Sequence, residues 1–250
     1  MIRDVIVGCV VLVIGMILGY IVCMCIYSND PLSRSKPLPA CKYMIGPSHT
    51  ITVEMKSDSP KMMLLHNFLT PDECDDLIAL GEKHKFKRST VQGSSTDEVS
   101  KERTSHTYNF ERKQTKLIND IEQRATLFCP FSTKNVENLQ IVRYNPGQQY
   151  KHHYDYFVPG REGTDVALKR GGQRHVTFFV YLNDMSPGET GGQTDFPNLN
   201  MKIAPRKGTA VMWYNVENGK EDDRTYHAGL PPVMSTKYGL NIWVREREFV

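Results

Sequence analysis

The sequence predicts a mainly β domain with flanking helices, preceded by an N-terminal membrane anchor. Short alternating runs separated by Gly, Pro and Asn turns begin at Leu139. Helical periodicity precedes them, and the first 27 residues contain a long apolar run. Many short strands with turn signals are typical of a sandwich or a barrel. At 250 residues, of which 40% are hydrophobic, the chain can form one sizeable core.

The anchor is predicted from Val5–Tyr27, which contains no charged residue over 23 positions. That length is enough for a transmembrane helix of about 20 residues, whereas a cleaved signal peptide usually has an apolar region of roughly 7–15 residues. We therefore predict a retained signal-anchor and a single-pass membrane protein. Arg3 precedes the segment and Arg34, Lys36 and Lys42 follow it, a count that favours a cytosolic C-terminal side.

Residues 28–49 are rich in proline and polar side chains, which is typical of a stalk or linker. The predicted organisation is an anchor over 1–27, a stalk over 28–49 and a main domain over 50–250. Within the main domain, residues 70–130 form the helical support and residues from about 139 to 250 form the β core.

Two helices are predicted in the support. Thr70 is the N-cap of the first, Pro71 occupies its first position and Glu73 completes a capping box, so a helix is expected to about Glu82. The second is expected over Glu111–Phe128. A first strand and then six strands of the core are predicted at Met62–Phe68, Leu139–Tyr144, Gln149–Phe157, Val176–Leu182, Met201–Ile203, Thr209–Tyr214 and Leu240–Val244.

Composition excludes two classes of protein. The net charge of +3 is small and spread along the chain, unlike the concentrated basic face of a nucleic-acid binder. Six cysteines are too few for a disulfide scaffold of this length. Three of them lie outside the apolar segment, and Cys41, Cys74 and Cys129 allow one disulfide without indicating the pair.

A candidate metal site begins with His153 and Asp155. In a β-strand these two residues project from the same face, while His152 faces the other way. A third ligand is offered by His227, and two histidines with one carboxylate form the site of non-haem Fe(II) oxygenases. A surface His–Asp pair is the alternative. A zinc hydrolase is disfavoured because the sequence contains no His-Glu-x-x-His motif.

Lys237 lies ten residues after His227, at the start of an apolar strand. If it is buried, its ammonium needs a partner, which a dicarboxylate co-substrate would supply through a charge-assisted hydrogen bond. If it lies at a solvated strand end, no such partner is required. Trp243 follows six residues later, where it either lines a groove or packs in the core.

Together, His153-x-Asp155, His227, Lys237 and Trp243 resemble the 2-oxoglutarate/Fe(II) dioxygenases of the prolyl 4-hydroxylase family. The similarity covers about Val53 to Arg247. Further matching segments are Phe68–Cys74, Arg88–Val91, Arg103–Ser105, Gly191–Phe196 and Pro205–Gly208.

The resemblance implies a double-stranded β-helix, or jelly-roll barrel, that uses Fe(II), 2-oxoglutarate, O₂ and L-ascorbate. Three sets of residues carry the implied roles. The iron ligands are His153, Asp155 and His227; the 2-oxoglutarate residues are Lys237, Tyr144 and Thr177; the substrate residues are Tyr150 and Trp243. The polar loops Lys83–Ser105 and Pro159–Gly172 are expected to close over the peptide.

The function implied is procollagen-type peptidyl-proline 4-hydroxylation, with a proline-rich peptide or protein as substrate. Alternatives are hydroxylation of another peptide residue or of a small molecule, and a non-catalytic anchored peptide-binding protein. The resemblance and the anchor together favour a type II protein of the endoplasmic reticulum with a lumenal catalytic domain, whereas the flanking charges favour the opposite orientation.

Overall fold

The computed structural model describes residues 8–16, 19–27, 41–45, 48–90 and 101–250. Over these residues the fold is mainly β, with three short α-helices: α1 (Pro71–Lys83), α2 (Lys116–Thr126) and α3 (Thr164–Lys169). The strands are β1 (Gly8–Met16), β2 (Gly19–Tyr27), β3 (Cys41–Ile45), β4 (His49–Asp58), β5 (Lys61–His66), β6 (Lys87–Arg88), β7 (His106–Asn109), β8 (Gln140–Tyr144), β9 (Tyr150–His153), β10 (Arg174–Tyr181), β11 (Thr194–Phe196), β12 (Met201–Ile203), β13 (Ala210–Tyr214), β14 (Val216–Glu217), β15 (Lys220–Glu221), β16 (His227–Gly229) and β17 (Lys237–Arg245).

The described strands form a major sheet, a minor sheet and the small two-stranded sheet of β14 and β15. The major sheet has the order β1-β2-β3-β4-β5-β13-β10-β17-β8-β7-β6, and the minor sheet has the order β12-β11-β16-β9. Their facing sides enclose one apolar cluster, and the other side of the major sheet packs against α1 and α2 in a second cluster. The arrangement confirms the predicted mainly β fold with flanking helices, of the jelly-roll type.

Strand periodicity assigns alternate residues of the major sheet to different layers. On β10, Val176 and Phe178 belong to the helix-facing cluster, while Phe179 belongs to the cluster between the sheets. On β17, Leu240 belongs to the helix-facing cluster and Lys237 points to the space between the sheets. The period of two in side-chain direction is the reason that polar residues of these strands collect on one face.

The helix layer has the predicted capping chemistry. The hydroxyl of Thr70 accepts from the Glu73 amide and the Glu73 carboxylate accepts from the Thr70 amide, which confirms the capping box. Arg124 on α2 also donates to both oxygens of Glu73, at 2.7 and 2.6 Å, and to the carbonyl of Phe68 at 2.8 Å. A bidentate pair of this kind fixes α1 against α2.

The second helix begins five residues later than the sequence predicts. Its N-cap is Thr115, whose hydroxyl accepts from the Ile118 amide. Before it, the Gln114 amide donates to the Glu111 carbonyl, and Lys113 has a positive φ of 56°. Residues 111–116 contain no apolar side chain, so the hydrophobic pattern that begins at Leu117 does not mark where the helix starts.

The N-terminal apolar segment differs from its prediction. The sequence predicts a transmembrane helix over Val5–Tyr27, whereas the structure has the antiparallel strands β1 and β2, and β2 pairs with β3. The segment is rich in Val and Ile, whose branched side chains suit strands, and an apolar run alone does not separate strand from helix. Among the described helices, none combines the length and the apolar character that crossing a membrane requires.

The structure also places β3 inside the predicted stalk, where it pairs with β4 over Cys41–Ile45. Residues 28–40 and 46–47 of the stalk lie outside the described residues, so the boundaries of the anchor, stalk and main domain stay predictions. No disulfide joins Cys41, Cys74 or Cys129 in the described part of the chain.

Candidate active site

The three predicted metal ligands converge between the sheets. His153 ends β9 and His227 begins β16, and the two residues are direct partners in the minor sheet. His153 Nε2 lies 3.7 Å from Asp155 Oδ1, and His227 Nε2 lies 3.7 Å from Asp155 Oδ2. One ligand atom from each residue lies within 4.8 Å of the other two. The predicted meeting of these three side chains is therefore present.

Backbone carbonyls orient both imidazole rings. His153 Nδ1 lies 2.7 Å from the Lys151 carbonyl oxygen, and His227 Nδ1 lies 2.8 Å from the Thr225 carbonyl oxygen. A carbonyl oxygen only accepts hydrogen bonds, so each Nδ1 carries the proton and donates. Each Nε2 is then left with its lone pair directed at the centre of the cluster, which is the tautomer that a metal ion requires.

The charge states of the cluster also fit a divalent metal. Burial alone would raise the pKa of Asp155, but His227 and the adjacent His153 hold it well below its ordinary value, so the carboxyl group is ionised. Burial and the neighbouring His153 lower the pKa of His227 to about 4, which keeps this imidazole neutral. One carboxylate and the Nε2 atoms of two imidazoles form the donor set of the non-haem Fe(II) facial triad.

One detail of the predicted geometry differs from the structure, and another agrees with it. Asp155 lies in a bend two residues beyond the end of β9, so it reaches His153 through that bend and not along a strand face. His152 does face away, as predicted, and its Nε2 lies 2.8 Å from Asp195 Oδ2 on β11.

Lys237 is a buried cation without a hydrogen-bond partner. Its side chain is 1% exposed, and its Nζ has no acceptor within the described residues. The ammonium lies 5.0 Å from the ring centroid of Phe179, 5.3 Å from that of Tyr144 and 5.5 Å from that of Tyr181. Burial lowers the pKa of Lys237 to about 7. An unpaired ammonium in an apolar site is costly, so its presence indicates a missing anionic partner.

The same cavity contains the lysine and the metal cluster. Tyr144 is the direct partner of Lys237 across β8 and β17, so the phenol and the ammonium share one end of the cavity. The residues that line the cavity are Tyr144, Tyr150, His153, Asp155, Phe179, Thr194, Trp213, His227, Gly229, Lys237, Asn241 and Trp243. An ion-binding cluster and an unpaired ammonium in one cavity fit a chelating dicarboxylate such as 2-oxoglutarate.

Gly239 allows the Phe179 ring to pack against β17 beneath Lys237. A Cβ on Gly239, two residues after Lys237, would overlap the Phe179 ring. Only glycine allows this close approach of the ring to β17.

The predicted 2-oxoglutarate residues differ in where the structure places them. Tyr144 lies beside Lys237, as expected. Thr177 does not line the cavity; its hydroxyl hydrogen bonds Asp155 Oδ2 at 2.8 Å. A residue that sequence reasoning missed, Thr194, does line the cavity, with its hydroxyl 2.7 Å from the hydroxyl of Tyr181. The signal was present in the Gly-Gly-Gln-Thr segment, whose threonine is Thr194.

The two predicted substrate residues both line the cavity. The ring of Tyr150 stacks on the His153 imidazole at 3.5 Å between centroids. Trp243 lies under the guanidinium of Arg174, at 3.8 Å from the ring centroid. Both aromatic rings are therefore fixed by packing next to the metal cluster, and their contact with substrate stays a prediction.

The predicted covering loops are described in part. Residues 91–100, within Lys83–Ser105, lie outside the described residues. The second loop, Pro159–Gly172, contains the short helix α3 and ends where the Gly172 amide donates to the Leu168 carbonyl at 2.7 Å.

Comparison with known proteins agrees with this geometry. Residues 139–245 match the model of the 2OG-Fe(II) oxygenase superfamily. The chain is 32% identical over 219 residues to probable prolyl 4-hydroxylase 3 of Arabidopsis thaliana, covering 78% of this chain and 73% of the plant protein. It is 34% identical over 193 residues to prolyl 4-hydroxylase subunit alpha-2 of Gallus gallus, covering 76% of this chain and 35% of that subunit.

A solved structure is similar as well. The viral collagen prolyl hydroxylase of Paramecium Bursaria Chlorella virus-1, in its 2-oxoglutarate complex, superimposes with a TM-score of 0.59 at 31% identity, over 74% of this chain and 95% of that one. Residues 139–245, which match the superfamily model, contain the His153, Asp155 and His227 cluster and Lys237. The chain belongs to the prolyl 4-hydroxylase family and is a dioxygenase dependent on Fe(II), 2-oxoglutarate and O₂.

Proposed function

We propose that the enzyme is a peptidyl-proline 4-hydroxylase that acts on procollagen-type, proline-rich peptides. The reaction consumes O₂ and 2-oxoglutarate, inserts one oxygen atom into a substrate C–H bond and releases succinate and CO₂. The observation that carries the proposal is the unpaired Lys237 ammonium in one cavity with the three ligand atoms. Such a cavity binds a co-substrate between a metal and a distant cation.

The side chains of the site have separate tasks. His153, Asp155 and His227 would hold Fe(II) by one face, and Lys237 would donate to the distal carboxylate of 2-oxoglutarate. Bound iron and co-substrate supply the oxidising power for hydroxylation. The protein contributes orientation, because the ligand rings are fixed through Nδ1 and the lysine is fixed among aromatic rings.

The walls of the cavity exclude water from the reacting groups. Phe179 and Trp213 are buried in the cluster between the sheets, and Trp243 is 7% exposed. An apolar enclosure strengthens the interaction between Lys237 and a carboxylate, because water no longer screens it. It also protects the reacting groups from competing reactions with water.

Proline as the substrate residue is supported by the relatives and by the aromatic rings at the cavity. The Arabidopsis and chicken proteins are named as prolyl 4-hydroxylases, and the viral structure as a collagen prolyl hydroxylase. Tyr150 and Trp243 offer flat apolar faces beside the metal cluster, and proline-rich segments dock in aromatic-lined grooves.

The test is 2-oxoglutarate turnover with a panel of peptides, with the products mapped by mass spectrometry. We expect succinate formation coupled to a gain of one oxygen on proline, dependent on added Fe(II). Oxidation of a different side chain would replace the proline assignment with another hydroxylase activity. Peptide binding without any succinate would indicate a non-catalytic binding protein. Metal analysis of the same sample identifies the ion that supports turnover.

A ligand series tests the metal assignment with a neighbouring control. His153→Ala and Asp155→Ala should each abolish Fe(II) binding and turnover, because only two ligands remain. His152→Ala is the matched control, since this adjacent histidine faces Asp195 and not the cluster. Turnover that survives in Asp155→Ala would show that the ligand set is wrong.

L-Ascorbate is proposed as an additional requirement, on the basis of the family resemblance alone. We expect that omitting ascorbate shortens the period of linear turnover in the peptide assay. The measurement is the progress curve of succinate formation with and without ascorbate. Identical curves over many turnovers would remove ascorbate from the proposed cofactors.

The cellular location is a separate proposal. The uncharged composition of residues 5–27 supports attachment to a membrane, and we propose the endoplasmic reticulum with the catalytic domain in the lumen. Protease digestion of intact microsomes that contain the full chain should leave residues 50–250 undigested. Complete digestion without detergent would place the catalytic domain on the cytosolic side.

A further inference from the structure

A chain of buried hydrogen bonds ends on the carboxylate of Asp155. Trp213 Nε1 lies 2.8 Å from Asn215 Oδ1, and Asn215 Nδ2 lies 2.9 Å from Thr177 Oγ1. Thr177 Oγ1 in turn lies 2.8 Å from Asp155 Oδ2. Its members come from β10, from β13 and from the residue that follows β13. We call these three residues, Trp213, Asn215 and Thr177, the Asp155 relay.

The direction of the relay is fixed by its two ends. The indole nitrogen of Trp213 can only donate, so the atom of Asn215 that faces it is the amide oxygen. The amide nitrogen of Asn215 therefore faces Thr177 and donates to its hydroxyl oxygen. Because an ionised carboxylate can only accept, the single hydroxyl proton of Thr177 goes to Asp155. Each hydrogen bond of the relay therefore has only one possible donor and one possible acceptor.

Burial holds the hydrogen bonds of the relay in this one arrangement. Thr177 and Asn215 are fully buried, and Trp213 is 1% exposed. Thr177 and Trp213 are direct partners in the pairing of β10 with β13, so the sheet fixes their separation. Water does not compete for these hydrogen bonds, and a buried network in which every member is satisfied specifies a single arrangement.

The relay distinguishes the two oxygens of Asp155. Oδ2 accepts the hydrogen bond from Thr177 and lies 3.7 Å from His227 Nε2, while Oδ1 lies 3.7 Å from His153 Nε2 and accepts no hydrogen bond from the relay. A ligating carboxylate is oriented by its hydrogen-bond partners, and such partners alter the strength of metal binding. Trp213 also contacts the second histidine, with its ring centroid 4.7 Å from that of His227.

We infer that the Asp155 relay is a positioning device for the metal site, which holds the carboxylate in the rotamer that ligates. The inference rests on the proposed ligand set of His153, Asp155 and His227. The relay residues do not bind the metal themselves. They set its affinity through the orientation of Asp155.

The test is the affinity of the metal-free protein for Mn(II), measured by electron paramagnetic resonance of the unbound ion. Thr177→Val keeps the volume of the side chain and removes its donor. We expect the dissociation constant to rise about 10-fold, as for other residues that orient metal ligands. Thr177→Ser retains the hydroxyl and should bind Mn(II) with an affinity within about threefold of the wild type. A change in affinity smaller than about threefold is not counted as an effect.

A second variant changes Asn215, which hydrogen bonds Thr177 and does not contact the Asp155 carboxylate through a hydrogen bond of its own. Asn215→Leu removes the donor to Thr177 and frees the hydroxyl proton to point elsewhere, so its effect should lie between those of Thr177→Ser and Thr177→Val. If Thr177→Val does not fold, Asn215→Leu alone decides the question. Wild-type Mn(II) affinity in Asn215→Leu would then overturn the inference.

Two further variants distinguish a failure of the Asp155 relay from a failure of the proposed ligand set. Thr209→Val removes the hydroxyl of another buried threonine, outside the site, and should leave Mn(II) affinity unchanged. Asp155→Ala should abolish Mn(II) binding. If it does so while Thr177→Val binds Mn(II) as tightly as the wild type, the ligand set stands and the relay is refuted. If Asp155→Ala still binds Mn(II) normally, the ligand set fails and the relay fails with it.

A structural role alone gives a different result. In that case Thr177→Val would lower the melting temperature while the Mn(II) dissociation constant stayed at its wild-type value. The inference requires the dissociation constant to change, whatever happens to the melting temperature. Measuring both quantities on the same samples therefore decides between positioning and general stability.

Discussion

Two buried cations of this enzyme, Arg124 in the helix layer and Lys237 between the sheets, have opposite surroundings. Arg124 donates to both oxygens of Glu73 and to a backbone carbonyl. Lys237 is surrounded by aromatic rings and donates to no acceptor in the described residues. The first cation is satisfied by the fold itself, and the second requires a molecule from outside the chain.

The comparison explains why the two sides of the major sheet serve different purposes. On the helix-facing side Arg124 and Glu73 pair with each other, so neither charge needs a ligand from outside the chain. On the other side an unpaired ammonium lowers the stability of the ligand-free protein, because its burial is not compensated. The energy lost there is recovered when a carboxylate binds, and that recovery is the basis of affinity for 2-oxoglutarate.

The largest expected effect follows from removing the unpaired cation. Lys237→Met should weaken 2-oxoglutarate binding to the Mn(II)-loaded protein by about 30- to 1,000-fold, because a buried charge pair contributes about 2–4 kcal/mol. The same change should stabilise the ligand-free protein by about 1–2 kcal/mol, since a costly desolvated charge is lost. Calorimetric titration and urea unfolding measure the two effects. Lower stability together with normal binding would contradict the assignment.

The reciprocal change in the helix layer should have the reverse signature. Arg124→Met leaves the Glu73 carboxylate without its partner and should destabilise the protein by about 3 kcal/mol. Affinity for 2-oxoglutarate should stay within twofold of the wild type, because this pair lies on the other side of the sheet. Urea unfolding and calorimetric titration of the variant check both statements. A large loss of co-substrate affinity would remove the distinction between the two layers.

The two cations should also respond to pH in different ranges. Burial lowers the pKa of Lys237 in the folded state to about 7, below its ordinary value of 10.5, so the unfolded chain binds more protons between these values. The stability of the ligand-free protein should therefore rise with pH from about 7 to 10.5, and Lys237→Met should lack this rise. The affinity for 2-oxoglutarate should fall over the same range, because the neutral amine no longer attracts the carboxylate.

The Glu73 pair responds at lower pH. Although burial alone would raise it, Arg124 holds the pKa of Glu73 below its ordinary value of 4.5. Its contribution is therefore present above the unfolded pKa and is lost as pH falls through the folded pKa. Thermal melts at a series of pH values should show this acid loss in the wild type and a weaker one in Arg124→Met. Equal acid sensitivity in both proteins would contradict the pairing.

The smallest expected effect is at the phenol beside the lysine. Tyr144→Phe should weaken 2-oxoglutarate binding by about 2- to 10-fold, the value of one hydrogen bond. Tyr238→Phe is the matched control, because that hydroxyl donates to Glu82 at 2.8 Å on the opposite face of β17. Equal binding by the wild type and Tyr144→Phe would remove the phenol from the co-substrate site.

The fold was predicted best where local chemistry and periodicity agree. The Thr70 capping box fixed the start of α1, and the predicted strands Leu139–Tyr144 and Thr209–Tyr214 correspond to β8 and β13. Prediction failed for the N-terminal segment, where an apolar run rich in Val and Ile is compatible with both a helix and a pair of strands. It also missed the ten-residue strand β4 and the three-residue strands β11 and β16.

The positions of the metal ligands and Lys237 were predicted correctly, whereas the position of Thr177 was not. The resemblance of His153, Asp155, His227 and Lys237 to the prolyl 4-hydroxylase motif was sufficient to predict that they meet. Thr177 was placed on the co-substrate because sequence does not reveal that its hydroxyl is bonded to Asp155. Such hydrogen bonds depend on the pairing of distant strands, which no local pattern encodes.

The most direct test compares 2-oxoglutarate with 2-oxopentanoate, which lacks the distal carboxylate, as ligands of the Mn(II)-loaded wild type and of Lys237→Met. The wild type should bind 2-oxoglutarate at least 30-fold more tightly, and Lys237→Met should bind both with similar, weak affinity, because the lysine is the group that recognises the second carboxylate. Equal preference for 2-oxoglutarate in both proteins would show that the ammonium does not face the co-substrate.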